Sequence, residues 1–236
     1  MGSDDYFPAG TIKKMLAHLK DADIYLTGRI EANFYLEKLQ DRCWLDEKEV
    51  DQEFDFSSKT EIVRYFNACR SLGGIFSYLS SIVVKRESWT RFPCEEKFIG
   101  TLYSHVYILI SMVINGSKLC YIKEPLIVCR SGNDSFLTDW VQRGLIDLRG
   151  YHKIGLDLIS DVNVRRSFWN VMQYELTLIN ILKIKAVSGW EDWPEYKRLA
   201  QDIYLTPRWV TFLAEILYPP ARLALHVSRF FKKIFK

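Results

Sequence analysis

The chain has 236 residues, of which 48% are hydrophobic and 26% are charged, and its formal net charge is +3. This balance is typical of a folded globular protein and excludes the disordered, collagen-like and disulfide-rich classes. The net charge is too small to indicate a nucleic-acid partner, which calls for a clearly basic domain. The length fits one domain with an extension or two small domains.

The cysteines and the apolar runs indicate the redox compartment and bear on secretion and membrane insertion. The five cysteines contain no Cys-x-x-Cys pair, so they predict neither a disulfide framework nor a zinc site and favour a reducing compartment. No secretory signal follows Met1, and no apolar run reaches the roughly 20 residues that span a bilayer.

The first part of the chain alternates helical and strand patterns. Helical spacing predicts a first helix that Thr11 caps, and the run 23–30 predicts a strand. The acid-rich stretch 41–58 predicts a solvated surface excursion. A helix is predicted over 60–70 and ends at a Gly-Gly pair, and the β-branched run 79–85 predicts a buried strand.

The middle of the chain predicts a core helix followed by strands. Residues 98–114 are apolar on nearly every face, and an Asn-Gly pair supplies a left-handed stop, so a buried helix is expected there. The runs 118–122 and 126–130 predict two short strands separated by a Glu-Pro pair. A polar loop over 131–135 follows the second strand.

The last third of the chain reads as helical. Helical periodicity predicts helices over 140–148 and over the long stretch 162–187. Apolar residues recur at helical spacing over 209–216, where a Pro-Pro pair is expected to break the helix, and the pattern resumes over 221–236.

The C-terminal tail is basic and amphipathic. Residues 208–236 contain six Lys and Arg against one acid, which is a net charge of +5. Aromatic residues on one side and cations on the other predict a helix lying on an anionic membrane surface. The alternative is a helix packed on the protein body with a solvated outer face.

Two adjacent carboxylates, Asp4 and Asp5, stand on a turn ahead of the first helix. Carboxylates held in this way suit Mg²⁺ or Mn²⁺, which keeps part of its water and binds substrate phosphate. An Asp-Asp pair by itself more often serves as a helix cap or a turn.

Four blocks of sequence, in order, resemble inverting family 2 glycosyltransferases of the GT-A fold. MGSDDYFPAGTIKKMLAHLKDADIYL resembles the segment around the family's DxD metal-binding motif, and GGIFSYLSSIVVKRESW its acceptor-side strand and turn. FIGTLYSHVYILISMVINGSKLCYI resembles the helix with the catalytic-base position, and EPLIVCRSGNDSF the closing strand and loop. Within the family, these sequence blocks are most similar to those of abequosyltransferase-like enzymes of O-antigen assembly.

The resemblance implies an α/β fold and a division of the chain. Residues 1–137 are expected to form the C-terminal, metal- and acceptor-binding part of a Rossmann-like GT-A catalytic domain. Residues 138–206 are expected to form a helical extension, and 207–236 a basic amphipathic tail that associates with the membrane. In the family, a nucleotide-binding β/α/β half precedes the DxD motif, so this chain is expected to lack that half.

The resemblance assigns the metal site to Asp4 and Asp5. Asp4 is expected to bind the metal, and Asp5 to hold the ribose, the sugar or the metal shell beside it. The first acidic position of the motif is Gly2 in this chain. The metal is then held by Asp4 and the diphosphate alone, or the dependence on metal is weak.

The resemblance also suggests a catalytic base. His105 stands near the position where many relatives have an Asp, and a neutral imidazole can accept the proton of the acceptor hydroxyl. The alternative is a core histidine whose hydrogen bonds are satisfied. Glu95 and Glu96, at the start of the same predicted helix, are the second candidates, although such acids more often interact with the helix dipole.

The closing loop is expected to hold the departing diphosphate. Arg130 can neutralise the charge that develops there, while Asn133 and Ser135 hold its oxygens. The alternative is a structural pair between Arg130 and Asp134. The acceptor side is expected to be formed by Ser80, Ser81, Arg86 and Trp89. Trp89 could stack on a sugar face, or it could be a core residue.

The resemblance implies transfer of a sugar, such as the 3,6-dideoxyhexose abequose, from a nucleotide-diphosphate donor that is CDP-linked in the most similar enzymes. The expected acceptor is a polyprenyl-linked oligosaccharide in lipopolysaccharide synthesis. The expected location is peripheral, at the cytoplasmic face of the bacterial inner membrane. The alternative, suggested by Gly2 and the missing half, is a non-catalytic membrane-surface adaptor derived from a degenerate transferase.

Overall fold

The computed structural model describes residues 5–130, 140–187 and 192–234. The chain divides into two compact units. The first, called the α/β unit below, comprises residues 1–134 and 154–171, and the second, called the helical unit, comprises 135–153 and 172–236. The mixed α/β class predicted from the sequence is confirmed.

The elements up to residue 130 alternate between strands and helices. In chain order they are β1 (Asp5–Tyr6), α1 (Thr11–His18), β2 (Ile24–Ala32), β3 (Lys38–Arg42), β4 (Gln52–Asp55), α2 (Lys59–Ala68), β5 (Ile82–Val84), α3 (Arg86–Thr90), α4 (Ser104–Ile114) and β6 (Lys118–Arg130).

The remaining elements are helical. They are α5 (Trp140–Leu158), α6 (Val162–Asn170), α7 (Leu178–Val187), α8 (Trp193–Arg198) and α9 (Arg208–Ile234). None of the helices in the described part of the chain is long and apolar enough to cross a membrane.

A single twisted sheet organises the α/β unit. Its central strands β2 and β6 run parallel, while β1 and β4 pair antiparallel with β6, and β3 and β5 pair antiparallel with β2. At Gly28, strands β2 and β3 approach so closely that a Cβ atom would lie 2.7 Å from the Arg42 carbonyl oxygen. A side chain at this position would therefore push the two strands apart.

An aromatic core packs beside the sheet. Phe54 and Phe56 each meet the ring of Tyr65 at centroid distances of 5.0 and 5.2 Å, and the Tyr65 hydroxyl donates a 2.5 Å hydrogen bond to the Gly74 carbonyl. Helix α4 is buried from Val106 to Val113. The predicted core helix therefore exists, and it ends as expected at Gly116, which adopts a positive φ of 85°.

The acid-rich stretch 41–58 is more ordered than predicted. It contributes the end of β3 and all of β4, and its apolar residues Trp44, Leu45, Phe54 and Phe56 are buried. The prediction of a solvated excursion is wrong for these residues, because the acids alternate with side chains that face the core.

Three other boundaries also differ from the prediction. The core helix begins at Ser104, since residues 96–98 form a separate 3-10 turn. Residues 79–81 form a 3-10 turn, and only 82–84 form a strand. Residues 118–130 form one strand through Pro125, because the register shifts at this point and Thr27 Oγ1 donates a 2.6 Å hydrogen bond to the Glu124 carbonyl.

The long helix predicted over 162–187 is divided. Asp161 caps α6 by accepting hydrogen bonds from the backbone N–H groups of Asn163 and Val164. A 3-10 turn over 171–174 follows, and α7 begins at Leu178. In contrast, α9 continues through Pro219 and Pro220, so the predicted break is wrong.

Interhelical polar contacts hold the helical unit together. Arg149 pairs with Glu195, and its Nε donates a 2.8 Å hydrogen bond to Glu195 Oε1. The Tyr204 hydroxyl donates a 2.6 Å hydrogen bond to the Leu148 carbonyl. The side chain of Lys185 on α7 is buried, with its Nζ 3.9 Å from the centroid of the Trp193 ring.

Candidate active site

Asp5 is placed at the end of the sheet by strand pairing. Residues of β1 lie opposite the last residues of β6, with Asp5 across from Cys129. The buried Ser80 donates a 2.5 Å hydrogen bond from Oγ to Asp5 Oδ2. The structure therefore brings together two predicted site residues, the metal-site Asp5 and the acceptor-side Ser80.

Tyr78 connects this carboxylate to a cation. Its buried hydroxyl lies beside Asp5 and Cys129, and burial together with these two neighbours raises its pKa far above the ordinary value. Its ring lies 4.6 Å from the Arg29 Cζ and 5.9 Å from the Trp44 ring centroid. The phenol is therefore protonated at neutral pH and can act as a hydrogen-bond donor in the site.

Arg29 is held by a carboxylate and two rings. Its Nη2 donates a 2.8 Å hydrogen bond to Glu31 Oε1, and its Cζ lies 5.2 Å from the Trp44 ring centroid. Its Nε is buried and has no hydrogen-bond partner among the described residues. A buried donor without a partner costs free energy, about 1–3 kcal/mol, so this N–H is a point at which a ligand could be recognised.

Glu31 balances the local charge. Burial opposes its ionisation, but hydrogen bonds from Arg29, Arg42 and Gln40 outweigh that effect and lower its pKa. Arg42 Nε lies 3.1 Å and Gln40 Nε2 lies 2.7 Å from Glu31 Oε2. The ionised Glu31 thus fixes the position of the Arg29 guanidinium.

Arg130 lies on the other face of the sheet from Asp5. Residues that pair directly across strands share a face, and Asp5 and Glu31 both pair with Cys129. Arg130 is the next residue along β6, so its side chain leaves from the opposite face. There its Cζ lies 5.6 Å from the centroid of the Phe34 ring. The structure does not bring Arg130 to the Asp5 side, where Arg29 is the nearby guanidinium.

A hydrogen bond to the backbone holds the His105 ring in one tautomer. It is half-buried at the start of α4, and its Nε2 lies 3.0 Å from the carbonyl oxygen of Phe76. A carbonyl only accepts, so Nε2 carries the proton and Nδ1 retains the lone pair. Burial, which outweighs the hydrogen bond to Phe76, lowers the pKa of His105. The imidazole is therefore neutral at pH 7 and able to accept a proton through Nδ1.

One short segment contacts both His105 and Asp5. Its carbonyl at Phe76 meets the imidazole, and four residues later Ser80 meets the carboxylate. Phe76 adopts a left-handed backbone conformation with φ 71°. Because four residues reach at most about 15 Å, the segment ties both groups to one region of the α/β unit.

The second candidates for the base are engaged differently. Glu95 accepts a 2.7 Å hydrogen bond from the Tyr107 hydroxyl and pairs at 2.9 Å with Lys97. Lys97 also pairs with Asp157 at 2.8 Å, and these two partners raise its pKa. Glu96 is exposed in the 3-10 turn before α4. Glu95 is thus engaged in an ion-pair network with Lys97 and Asp157.

The other acceptor-side residues are dispersed. The buried Ser81 uses its hydroxyl to close a local turn, donating a 2.8 Å hydrogen bond to the Tyr78 carbonyl. Arg86 and Trp89 both lie on the short helix α3, where Arg86 is exposed and Trp89 is half-buried. The described contacts do not connect this pair to Asp5 or His105.

Several predicted site residues lie outside the described residues, namely Asp4, Asn133 and Ser135. Within the described ranges, no three His, Cys, Asp or Glu side chains group into a metal site. The Asp5 carboxylate and the Ser80 hydroxyl that it contacts are hard oxygen donors. This donor set suits Mg²⁺ or Mn²⁺, which often binds one or two carboxylates and completes its shell with water and phosphate.

Sequence reasoning missed Arg29, Glu31 and Tyr78. The Arg-x-Glu spacing places two opposite charges on one face of a strand, and this signal was present in the sequence. The position of Tyr78 had no such signal, because it depends on the irregular turn before Ser80.

The sequence matches no protein-family profile. It is similar to abequosyltransferase RfbV of Salmonella typhimurium, with 37% identity over 180 residues that make up 74% of this chain and 54% of that protein. The chain therefore spans about half the length of this curated relative. The resemblance to abequosyltransferase-like glycosyltransferases that the sequence motifs predicted is confirmed.

Proposed function

We propose that this chain, an abequosyltransferase-like glycosyltransferase by its sequence, takes part in moving a sugar from a nucleotide diphosphate to an oligosaccharide acceptor. The donor is proposed to be CDP-linked, the sugar a 3,6-dideoxyhexose such as abequose, and the acceptor polyprenyl-linked in O-antigen synthesis. The observation that carries the proposal is the similarity to an abequosyltransferase over three quarters of the chain. Two features support it: the polar groups around Asp5, which could bind a metal ion and a diphosphate, and the neutral imidazole of His105, which could act as a base.

The proposal includes a GT-A architecture for the α/β unit. Two parallel central strands, with Asp5 at the end of the sheet, are compatible with such a domain. The diphosphate and the acceptor are proposed to be bound by residues of this chain.

His105 is proposed as the general base of an inverting reaction. Its Nδ1 accepts the proton from the acceptor hydroxyl as that oxygen attacks the anomeric carbon, on the face opposite the departing diphosphate. The hydrogen bond between Nε2 and the Phe76 carbonyl holds the ring in this tautomer. The lowered pKa keeps it ready to accept at neutral pH.

Arg29 and Tyr78 are proposed to receive the charge of the leaving group. The buried Arg29 Nε–H and the protonated Tyr78 hydroxyl are donors on the same side of the sheet as Asp5. Donors that are fixed before the reaction stabilise a developing anion without reorganisation. The resemblance predicted Arg130 for this role. We propose Arg29 instead, because the Arg130 side chain lies on the opposite face of the sheet, next to Phe34.

A divalent cation is proposed to bind at Asp5, assisted by Asp4. When bound, it would neutralise charge on the diphosphate oxygens. Asp5 orients its carboxylate through the hydrogen bond from Ser80.

The direct test is sugar transfer into the lipid fraction of bacterial membranes. The full chain is incubated with labelled CDP-, UDP-, GDP- and dTDP-sugars and a polyprenyl-linked acceptor, with Mg²⁺ or with EDTA. We expect incorporation from a CDP-sugar that is lost with EDTA and in Asp5→Asn. Asp21→Asn is the matched control, because Asp21 is 91% exposed and pairs only distantly with Lys85.

The result would also separate the proposal from its alternative. An adaptor derived from a degenerate transferase predicts no transfer from any donor. Transfer that is equal in the wild type and in Asp5→Asn would remove Asp5 from the proposed site while keeping the enzyme class.

A further inference from the structure

The longest helix of the chain, α9, carries an exposed apolar stripe. Trp209, Phe212 and Ile216 are spaced by three and four residues, and their side chains are 59%, 58% and 53% exposed. At 3.6 residues per turn they fall within a sector of about 60°. Large side chains so strongly exposed in one row mark an interaction surface.

The opposite face of α9 is already occupied within the helical unit. Val210, Thr211, Ala214 and Tyr218 are buried, and α9 packs mainly on α7. The stripe is therefore a second apolar face, separate from the one that joins the helix to its own unit.

Helix α9 is long enough to lie along an extended surface. Because α9 is one helix from Arg208 to Ile234, it measures about 40 Å. The sequence continues the same spacing beyond the Pro-Pro pair with Leu223, Val227, Phe230 and Ile234. Those positions fall within the same sector of about 60° as Trp209.

The charge of α9 selects the occupant of this surface. From Arg208 to the C-terminus the chain carries six Lys and Arg and one acid. That acid, Glu215, is directed to its own unit, where it accepts a 2.9 Å hydrogen bond from Trp193 Nε1 and pairs with Lys197 at 3.0 Å. The net positive charge of residues 208–236 therefore favours an anionic partner. A second copy of the same helix would bring like charges together.

We infer that α9 lies along an anionic membrane surface, with the stripe of Trp209, Phe212 and Ile216 buried among the lipid headgroups and acyl ends. The net positive charge of residues 208–236 is attracted to the anionic lipids of that surface. This inference extends the proposed function, because the proposed acceptor is lipid-linked, but its test requires no catalysis.

The test is cosedimentation of the full chain with vesicles of phosphatidylethanolamine that contain a quarter of phosphatidylglycerol, compared with vesicles of phosphatidylcholine. We expect binding to the anionic vesicles, weakened by added salt. The double variant Phe212→Ser/Ile216→Ser should lose about tenfold or more in partitioning, because two apolar side chains no longer leave water.

Val162→Ser/Ile179→Ser is the matched control, since these residues are 66% and 65% exposed and lie on other helices. It should bind as the wild type does. The inference is overturned if the wild type stays in the supernatant, if both lipid compositions bind it equally, or if the control pair loses as much binding. A dimer that dissociates in Phe212→Ser/Ile216→Ser, without binding of the wild type to vesicles, would assign the stripe to self-association.

Discussion

The α/β unit and the helical unit differ in the groups that they leave available for a ligand or a surface. In the α/β unit, Asp5, Tyr78 and Arg29 gather at one end of a sheet, where the buried Arg29 Nε has no hydrogen-bond partner in the described part of the chain. In the helical unit, described charges such as Arg149 and Glu195 pair between helices. Apolar side chains of α9 are instead exposed. We therefore expect the first unit to recognise polar ligands and the second to attach to a surface.

Replacing one histidine in each unit should give the strongest contrast in activity. His105→Gln should lower the sugar-transfer rate by about 10²–10⁴-fold, because the general base is lost. His152→Gln, in the helical unit at another partly buried histidine with a lowered pKa, should leave the rate nearly unchanged. Steady-state transfer kinetics, with circular dichroism to check folding, measure both. Equal losses in the two variants would contradict the assignment.

The two faces of the sheet give the next contrast. Arg29→Gln should weaken donor binding and transfer by about 10 to 100-fold, because a charge-assisted hydrogen bond is worth about 1.5–3 kcal/mol. Arg130→Gln should have a clearly smaller effect, since its side chain leaves from the other face and lies by Phe34. Isothermal titration with the nucleotide sugar compares them, and a larger loss in Arg130→Gln would favour the original sequence-based assignment.

The pH dependence of the transfer rate tests whether His105 is the base. Its pKa lies below the ordinary 6.5, and the base is active only when neutral. The acid limb of the transfer rate should therefore have its midpoint below pH 6.5, with a slope that approaches about tenfold per pH unit. A rate profile between pH 5 and 8 tests this, and an acid limb centred above 6.5 would exclude His105 as the base.

The buried Lys185 should make the stability of the protein depend on pH, by a small amount. Burial lowers the pKa of Lys185 to about 8, although Glu215 opposes the shift. Between that value and the ordinary 10.5 the unfolded chain binds more protons than the folded chain, so the stability of the wild type should rise with pH. Lys185→Met should remove this rise and stabilise the protein at pH 7 by about 1 kcal/mol.

Urea denaturation at pH 7 and pH 9.5 measures both effects. Lys183→Met, two residues away on the same helix, is the control and should keep the pH dependence. If Lys185→Met destabilises the protein at both pH values, the ammonium group contributes to the fold through its contacts with Trp193 and Tyr218, and this explanation of its burial fails.

Much of the fold follows from periodicity, and the errors have physical causes. Helices α1 and α2 and strand β2 were predicted because their apolar spacing is regular and local. The continuity of β6 through Pro125 and of α9 through Pro219 was missed, since a local breaker was given more weight than the surrounding packing.

The candidate site was only partly predictable. Asp5, Ser80 and His105 were selected through the resemblance, and the structure gives each a polar contact suited to its proposed role. The proposal of Arg29 in place of Arg130 depends on the strand register, because a shift of one residue moves a side chain to the other face. The tautomer of His105 likewise depends on a carbonyl 29 residues away.

The most direct test of the division between the two units is a comparison of two transfer assays. One uses a water-soluble oligosaccharide acceptor and the other a polyprenyl-linked acceptor in anionic vesicles. We predict that His105→Gln abolishes transfer in both assays, whereas Phe212→Ser/Ile216→Ser lowers transfer only to the vesicle-bound acceptor. Loss of both activities in the α9 variant, or transfer by His105→Gln at the wild-type rate, would contradict the account.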